Sequence, residues 1–198
     1  MVVFGITGGS GSGKTSVSKM LEKLGVHIID TDVIAHEIVE PNSDCLNELV
    51  NYFGDSILND DKTLNRKKLA SIAFSDKQKT EALSNITHKY IKAEVVKDIN
   101  TTDAELVGID GAVIIGSNVE PLCEFIVSVI ADKQSRITRI KTRDNITDEQ
   151  AIQRINAQND DEFYKKNSMY IIYNNGDIAQ LESDVVGLFN KIKGNSFE

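Results

Sequence analysis

Eight residues near the start of the chain, Gly8-Gly9-Ser10-Gly11-Ser12-Gly13-Lys14-Thr15, restrict its fold more than any other stretch. They follow an apolar run, Val2-Val3-Phe4-Gly5-Ile6, and precede a helical pattern with Val17, Met20, Leu21 and Leu24 on one face. Strand, glycine-rich turn and helix, in that order, are the setting in which G-x-x-x-x-G-K-[ST] wraps a phosphate. The glycines let the backbone curl around an anion, their N–H groups turn inward, and the helix starting near Gly13 adds its positive end. Lys14 is a mobile point charge for the β- and γ-phosphates, and the Thr15 hydroxyl suits a Mg²⁺ that bridges them. The chain is expected to bind a nucleoside triphosphate with Mg²⁺.

The remaining strands fit an α/β fold. Val26 to Asp30 reads as a second buried strand after the helix Thr15 to Leu24, with Gly25 as its C′ residue. A strand-helix-strand unit of this kind implies a parallel, right-handed crossover. Strands three, four and five are read at 105–110, 125–130 and 169–173, and a last helix at about 177–192. Residues 194–198 are expected to fray. The segment between strands two and three is mostly helical and too long for a simple crossover. The expected architecture is a P-loop NTPase-like five-stranded parallel core (1–31, 104–132 and 168–198), a helical substrate subdomain (32–103) and a lid (133–167). In the lid, Arg136, Arg139 and Arg143 fall on one helix face, and Thr147-Asp148-Glu149-Gln150 is a capping box that starts a fresh helix through Gln158. A hinged, arginine-bearing segment over a phosphate site excludes water and neutralises transferring charge.

A chain of 198 residues can hold one such domain with an appendage. Its net charge of −8 argues against nucleic acid as the main partner, because a nucleic-acid binder is normally basic. Cys45 and Cys123 form no C-x-x-C pair and read as buried small hydrophobes. No basic segment precedes the first strand and no apolar run has membrane-spanning length, so a cytoplasmic protein without a membrane partner is expected, monomeric or weakly homo-oligomeric.

Three acids end strands. Asp30 and Asp32 follow strand two, and Asp110 ends strand three. In open α/β sheets that edge holds the ligand. Asp32 can accept a proton from an acceptor hydroxyl or hold a Mg²⁺ water, whereas its structural alternative is an N-cap for a helix at Val33. Asp110 occupies the position of an acid beside the phosphate loop. His88, alone on a helix, earns no role from its residue type.

The order of motifs resembles the dephospho-CoA kinase family over essentially the whole chain. It runs from the loop in its Thr7-Gly8-Gly9-x-Gly11-Ser12-Gly13-Lys14 form to Asp30-Thr31-Asp32, Leu64-Asn65-Arg66, His88, Lys133-Gln134-Ser135-Arg136, Arg143-Asp144-Asn145, Gln158 and Asn174. The resemblance implies ATP-dependent phosphorylation of the ribose 3′-hydroxyl of dephospho-CoA, the final step of coenzyme A biosynthesis. It implies ATP and Mg²⁺ as cofactors and dephospho-CoA as the small-molecule partner. Gly9 and the run from Gly11 through Ser12, Gly13, Lys14 and Thr15 to Ser16 would hold the ATP phosphates, with Arg139 and Arg143 from the lid. Asp32, Lys14 and Arg143 would be catalytic. Thr7, Asp32, Arg66, His88 and Asp110 would serve the acceptor, and Thr15 and Asp32 the metal. The chain departs from the family pattern at His36 (arginine in the family), at Ala112 and Gly116 (proline and glutamate) and at Ser168-Met169 (Ala-Asp). Other readings are a different P-loop kinase acting on a nucleoside or nucleotide, and a non-enzymatic nucleotide switch. The switch is weakened because Asn190-Lys191-Ile192-Lys193 ends in lysine where a guanine reader needs aspartate.

Overall fold

The computed structural model describes residues 1–194. Strands β1 (Val2–Thr7), β2 (His27–Asp30), β3 (Leu106–Asp110), β4 (Phe125–Ile130) and β5 (Tyr170–Tyr173) form one sheet in the order β2-β3-β1-β4-β5. β1 runs parallel to β3 and β4, and β4 runs parallel to β5. Every residue of β3 and β4 is buried, as an apolar strand covered on both faces requires. The register sets Ile6 beside Asp110 and Thr7 beside Ser128, which aligns the carboxyl ends of β1, β3 and β4. The chain leaves β1 toward β2 and β3 on one side and reaches β4 and β5 on the other. That switch point opens a crevice at the carboxyl ends of β1 and β4.

Nine α-helices accompany the sheet among the described residues: α1 (Lys14–Lys23), α2 (Thr31–Glu37), α3 (Asp44–Phe53), α4 (Arg66–Ala73), α5 (Lys77–Thr101), α6 (Lys133–Asp144), α7 (Asp148–Asn156), α8 (Asp161–Lys166) and α9 (Ile178–Gly194). α1 ends as its glycine suggests. Gly25 is left-handed, its N–H donates to Glu22 O at 3.0 Å, and the Val26 N–H donates to Leu21 O at 3.1 Å, the paired bonds of a Schellman cap. The Thr147–Gln150 capping box is present in full. Helix α8 is absent from the sequence reading, and β5 starts one residue later than read there. Residues 195–198, most of the segment expected to fray, lie outside the described residues, and Gly194 ends α9.

The chain falls into two compact units, Met1–Ile29 with the residues from Thr102 onward, and Asp30–Thr101. The first is built on Phe4, Ile6, Val17, Leu21, Val127 and Val185, with Phe125 stacked on Phe4 at 5.4 Å. A satellite cluster of Ile137, Ile140, Ala151 and Ile155 joins α6 to α7. At roughly 1.5–3 kcal/mol for each large buried side chain, that cluster makes the two helices one body. The second unit buries Leu46, Leu49, Ile57, Leu69 and Ile86. Cys45 is buried and Cys123 half-buried, and burial pushes their thiols up to about 11 and about 12. Both are therefore inert thiols at neutral pH. Among the described residues no helix is long and apolar enough to cross a membrane.

Candidate active site

The loop between β1 and α1 is held from outside by its carbonyls. Arg136 Nε donates to Ser10 O at 2.9 Å. Arg139 Nη1 donates to Gly11 O at 3.2 Å and to Ser12 O at 3.3 Å, and Asn174 Nδ2 donates to Ser12 O at 2.8 Å. The peptide units are planar and trans, so a carbonyl pulled outward turns the next residue's N–H inward. The N–H groups of Gly11 and Gly13 therefore face the loop's concave side, while that of Ser12 closes a turn onto Gly9 O at 3.0 Å. This wrapping explains two glycines. Gly11 (φ +77°) and Gly13 (φ +97°) are left-handed. A Cβ on Gly11 would stand 2.7 Å from Arg136 O, and one on Gly13 would collide with the Asn174 amide. Among the described residues no side chain caps α1, whose first turn begins at Gly13, so its positive end is left for an anion.

Lys14 forms an ion pair with Asp110, whose side chain is almost fully withdrawn from solvent while that of Lys14 is half-buried. Ser18 Oγ donates to the other carboxylate oxygen of Asp110 at 2.6 Å. Among the described residues the buried Ser12 hydroxyl finds no hydrogen-bond partner. An orphaned hydroxyl inside a phosphate-type loop marks a place prepared for a polar ligand. Among the described residues no three His, Cys, Asp or Glu side chains converge to hold a metal. A divalent ion here would take most of its oxygens from phosphates and water, as Mg²⁺ commonly does.

The arginines of α6 separate. Arg136 is buried and also meets Gln158 Oε1 at 3.2 Å, and that oxygen accepts from Ser10 N at 2.8 Å. Arg139 Nη2 reaches Asn174 O at 2.9 Å. Both brace the loop. Arg143 is exposed, and its guanidinium grips Asp144 through two bonds of 2.7 and 2.9 Å. Arg154 pairs with the same carboxylate, and these cations, Arg143 first, pull Asp144 down to about 2. Gln158, Asn174 and Ser18 were missed as site residues. The first two stood only as landmarks of resemblance, and Ser18 carried no signal beyond lying one turn after Lys14.

In the second unit, Asp30 is the N-cap of α2, its Oδ1 accepting from Asp32 N at 2.9 Å and Val33 N at 3.1 Å. This corrects the structural alternative considered for Asp32, which lies in the first turn of α2. The helix starts at Thr31, so the two acids do not share an extended strand. Arg66 and His88 line one largely apolar cavity of about 300 Å³ with Leu49, Leu69, Phe74 and Ile91.

A sequence profile described as dephospho-CoA kinase matches residues 2–180. The chain belongs to the dephospho-CoA kinase family. A dephospho-CoA kinase of Lactobacillus johnsonii is 34% identical over 191 residues, 95% of this chain and 96% of the relative. The crystal structure of a Thermus thermophilus protein superposes with a TM-score of 0.84 at 25% identity, covering 96% of this chain and 97% of that one. A dephospho-CoA kinase from Campylobacter jejuni gives 0.69 at 27% identity, covering 98% of each chain.

At three of the positions that set this chain apart from the dephospho-CoA kinase pattern expected from the sequence, the structure shows local contacts. His36 Nδ1 faces Arg66 Nη2 at 2.8 Å, and since arginine only donates, the imidazole nitrogen accepts. At Gly116, Glu120 reaches back so that its carboxylate accepts from Gly116 N at 2.6 Å. Ser168 shares a 2.6 Å hydrogen bond with the buried Ser128.

Proposed function

We propose that this chain transfers the γ-phosphoryl group of ATP to the 3′-hydroxyl of dephospho-CoA, the last step of coenzyme A biosynthesis, with Mg²⁺. The observation that carries this reading is a family match along nearly the whole chain, joined to a loop whose carbonyls are tied outward. Lys14 moves from Asp110 to the β- and γ-phosphates. The N–H groups of Gly11 and Gly13 and the end of α1 hold phosphate oxygens, with Gly9, Ser12 and Ser16 completing the loop. Arg139 keeps the loop in shape, and Arg143 neutralises charge on the transferring group. Asp32 orients the acceptor hydroxyl and takes its proton. Mg²⁺, when bound, would spread charge across the phosphates, and Thr15 and Asp110, both in the unit that carries the loop, offer oxygens that suit so hard a cation. Dephospho-CoA joins an anionic diphosphate to a long uncharged arm. An apolar cavity bearing Arg66 and His88 matches that combination. Both substrates are small and water-soluble, which fits a cytoplasmic monomer or weak homo-oligomer that needs neither membrane nor nucleic acid.

The test is ADP formation by the purified chain with ATP and Mg²⁺, with and without dephospho-CoA, and the product's mass. The expected result is acceptor-dependent ADP and a product of the mass of CoA. ADP release driven equally by nucleosides, with no CoA, would overturn the reading. Asp32→Asn is expected to lower turnover by about a thousandfold or more while ATP affinity holds. Equal losses in both would remove Asp32 from its role.

A further inference from the structure

Ser18 lies outside the phosphate-loop motif, yet it fixes the acid that faces Lys14. It stands four residues after Lys14 on α1 and is 4% exposed. Its hydroxyl has one proton and two oxygens within reach, Lys14 O at 3.2 Å and Asp110 Oδ2 at 2.6 Å. A serine inside a helix ordinarily donates to the carbonyl four residues back. Here that contact is the longer one, and the shorter lies in the range of an O–H bond to an ionised carboxylate. Lys14 takes the other oxygen, Oδ1. Two residues one helical turn apart thus give the two oxygens of Asp110 different partners. The carboxylate cannot turn about its Cβ–Cγ bond without giving up the Ser18 hydroxyl. Packing alone does not explain the serine, because alanine is the better helix former at such a position.

We propose that Ser18 is a positioning residue, which anchors Asp110 through Oδ2 while Lys14 is handed from Oδ1 to the phosphates of ATP. Before nucleotide arrives, Lys14 and Asp110 neutralise each other in a largely buried pair. When the ammonium turns to phosphate, the carboxylate gives up that cation while it stays withdrawn from water, where losing an ion-pair partner is costly. The Ser18 hydroxyl stays bonded to it and keeps Oδ1 aimed where Lys14 was, so that the carboxylate would be placed to serve a hydrated Mg²⁺ brought in with ATP. The inference rests on the ATP and Mg²⁺ reading above and adds a residue that the motif does not contain.

The experiment measures binding of a non-hydrolysable ATP analogue to the full-length chain by calorimetry, once in EDTA and once in saturating Mg²⁺, beside the Mg²⁺ concentration for half-maximal turnover. For Ser18→Ala, affinity in EDTA is expected to hold or tighten, since Lys14 is gripped less firmly. The half-saturating Mg²⁺ is expected to rise by about tenfold or more, the usual penalty for removing a group that orients a metal-facing carboxylate. Ser18→Thr keeps the hydroxyl and is expected to retain the wild-type ratio of the two affinities. This second variant decides the matter if the alanine variant does not fold. Equal weakening in EDTA and in Mg²⁺ would mean a damaged loop and would overturn the proposal, as would an unchanged Mg²⁺ requirement or a threonine variant that loses the wild-type ratio. Failure of the unmodified chain to bind the analogue at all would strike the ATP reading itself and is distinct from these outcomes.

Discussion

Arg136 and Arg143 share a face of one helix and do different things. Seven residues separate them, about 10 Å along the axis at 1.5 Å per residue. Arg136 is buried, bonded to the Ser10 carbonyl and the Gln158 amide oxygen. Arg143 is 61% exposed at the side chain and is held by its neighbour Asp144. Arg139, between them, still reaches Gly11, Ser12 and Asn174. One end of α6 therefore builds the phosphate loop, and the other end carries a charge that the loop does not use. Helical spacing states which residues point the same way, and the length of the helix decides what each of them meets.

The sharpest way to break this contrast is at Arg136. In Arg136→Ala the Ser10 carbonyl loses a buried donor, at roughly 1–3 kcal/mol for a group left unsatisfied, and Gln158 keeps only its bonds to Ser10. A loss of about 3 kcal/mol in urea unfolding is expected, with ATP affinity down by more than tenfold. Arg136→Lys is not expected to rescue it, because an ammonium lacks the planar fork that serves both partners. Normal unfolding and normal ATP binding in Arg136→Ala would put Arg136 in the same class as Arg143. The next test is Arg143→Ala. Its unfolding midpoint is expected to move by no more than about 2 °C, since exposed ion pairs add little. ATP affinity is expected to stay near wild type while kcat falls by about a hundredfold, the loss typical of one donor to developing charge. A loss of ATP affinity matching that of Arg136→Ala would erase the distinction.

The sheet and the loop were legible because their signals are local. An apolar run, a glycine-rich turn and a 3.6-residue stripe each specify one element, and the structure keeps all three with boundaries moved by a residue or two. Gly25 and Thr147 were legible for the same reason, since a cap is written within a few residues. The bracing of the loop was not. Arg136 to Ser10 spans 126 residues, Asn174 to Ser12 spans 162, and Ser18 to Asp110 spans 92. No periodicity links such partners. Asp30 shows the opposite failure. Its sequence position and that of Asp32 suggest two strand-end acids, but α2 starts at Thr31, and the first carboxylate is taken by capping.

The smallest expected effect concerns what holds Arg143. Asp144 is drawn down to about 2, first by its hydrogen bonds from Arg143 and then by Arg154. A carboxylate held below its unfolded value of about 3.9 stabilises the fold above that pH, and the contribution is lost as pH falls toward the folded value. Between about pH 4 and pH 2 the junction of α6 and α7 is therefore expected to loosen, with faster amide exchange at Asn145 and Ile146, while the buried cluster of Ile140 and Ile155 persists. The direct check is an NMR titration of the Asp144 carboxyl. A midpoint near 2 upholds the clamp. A midpoint near 3.9 would mean that Arg143 and Asp144 are not paired in solution, and Arg143 would then differ from Arg136 by exposure alone. Asp144→Asn sharpens the same point at neutral pH. It removes the charge that engages both Arg143 and Arg154, while the Lys141–Asp148 ion pair remains to join α6 to α7. If Arg143 acts on the transferring phosphate, release from Asp144 changes kcat and leaves the unfolding midpoint nearly where it was. A change in the midpoint alone would make the clamp a structural one.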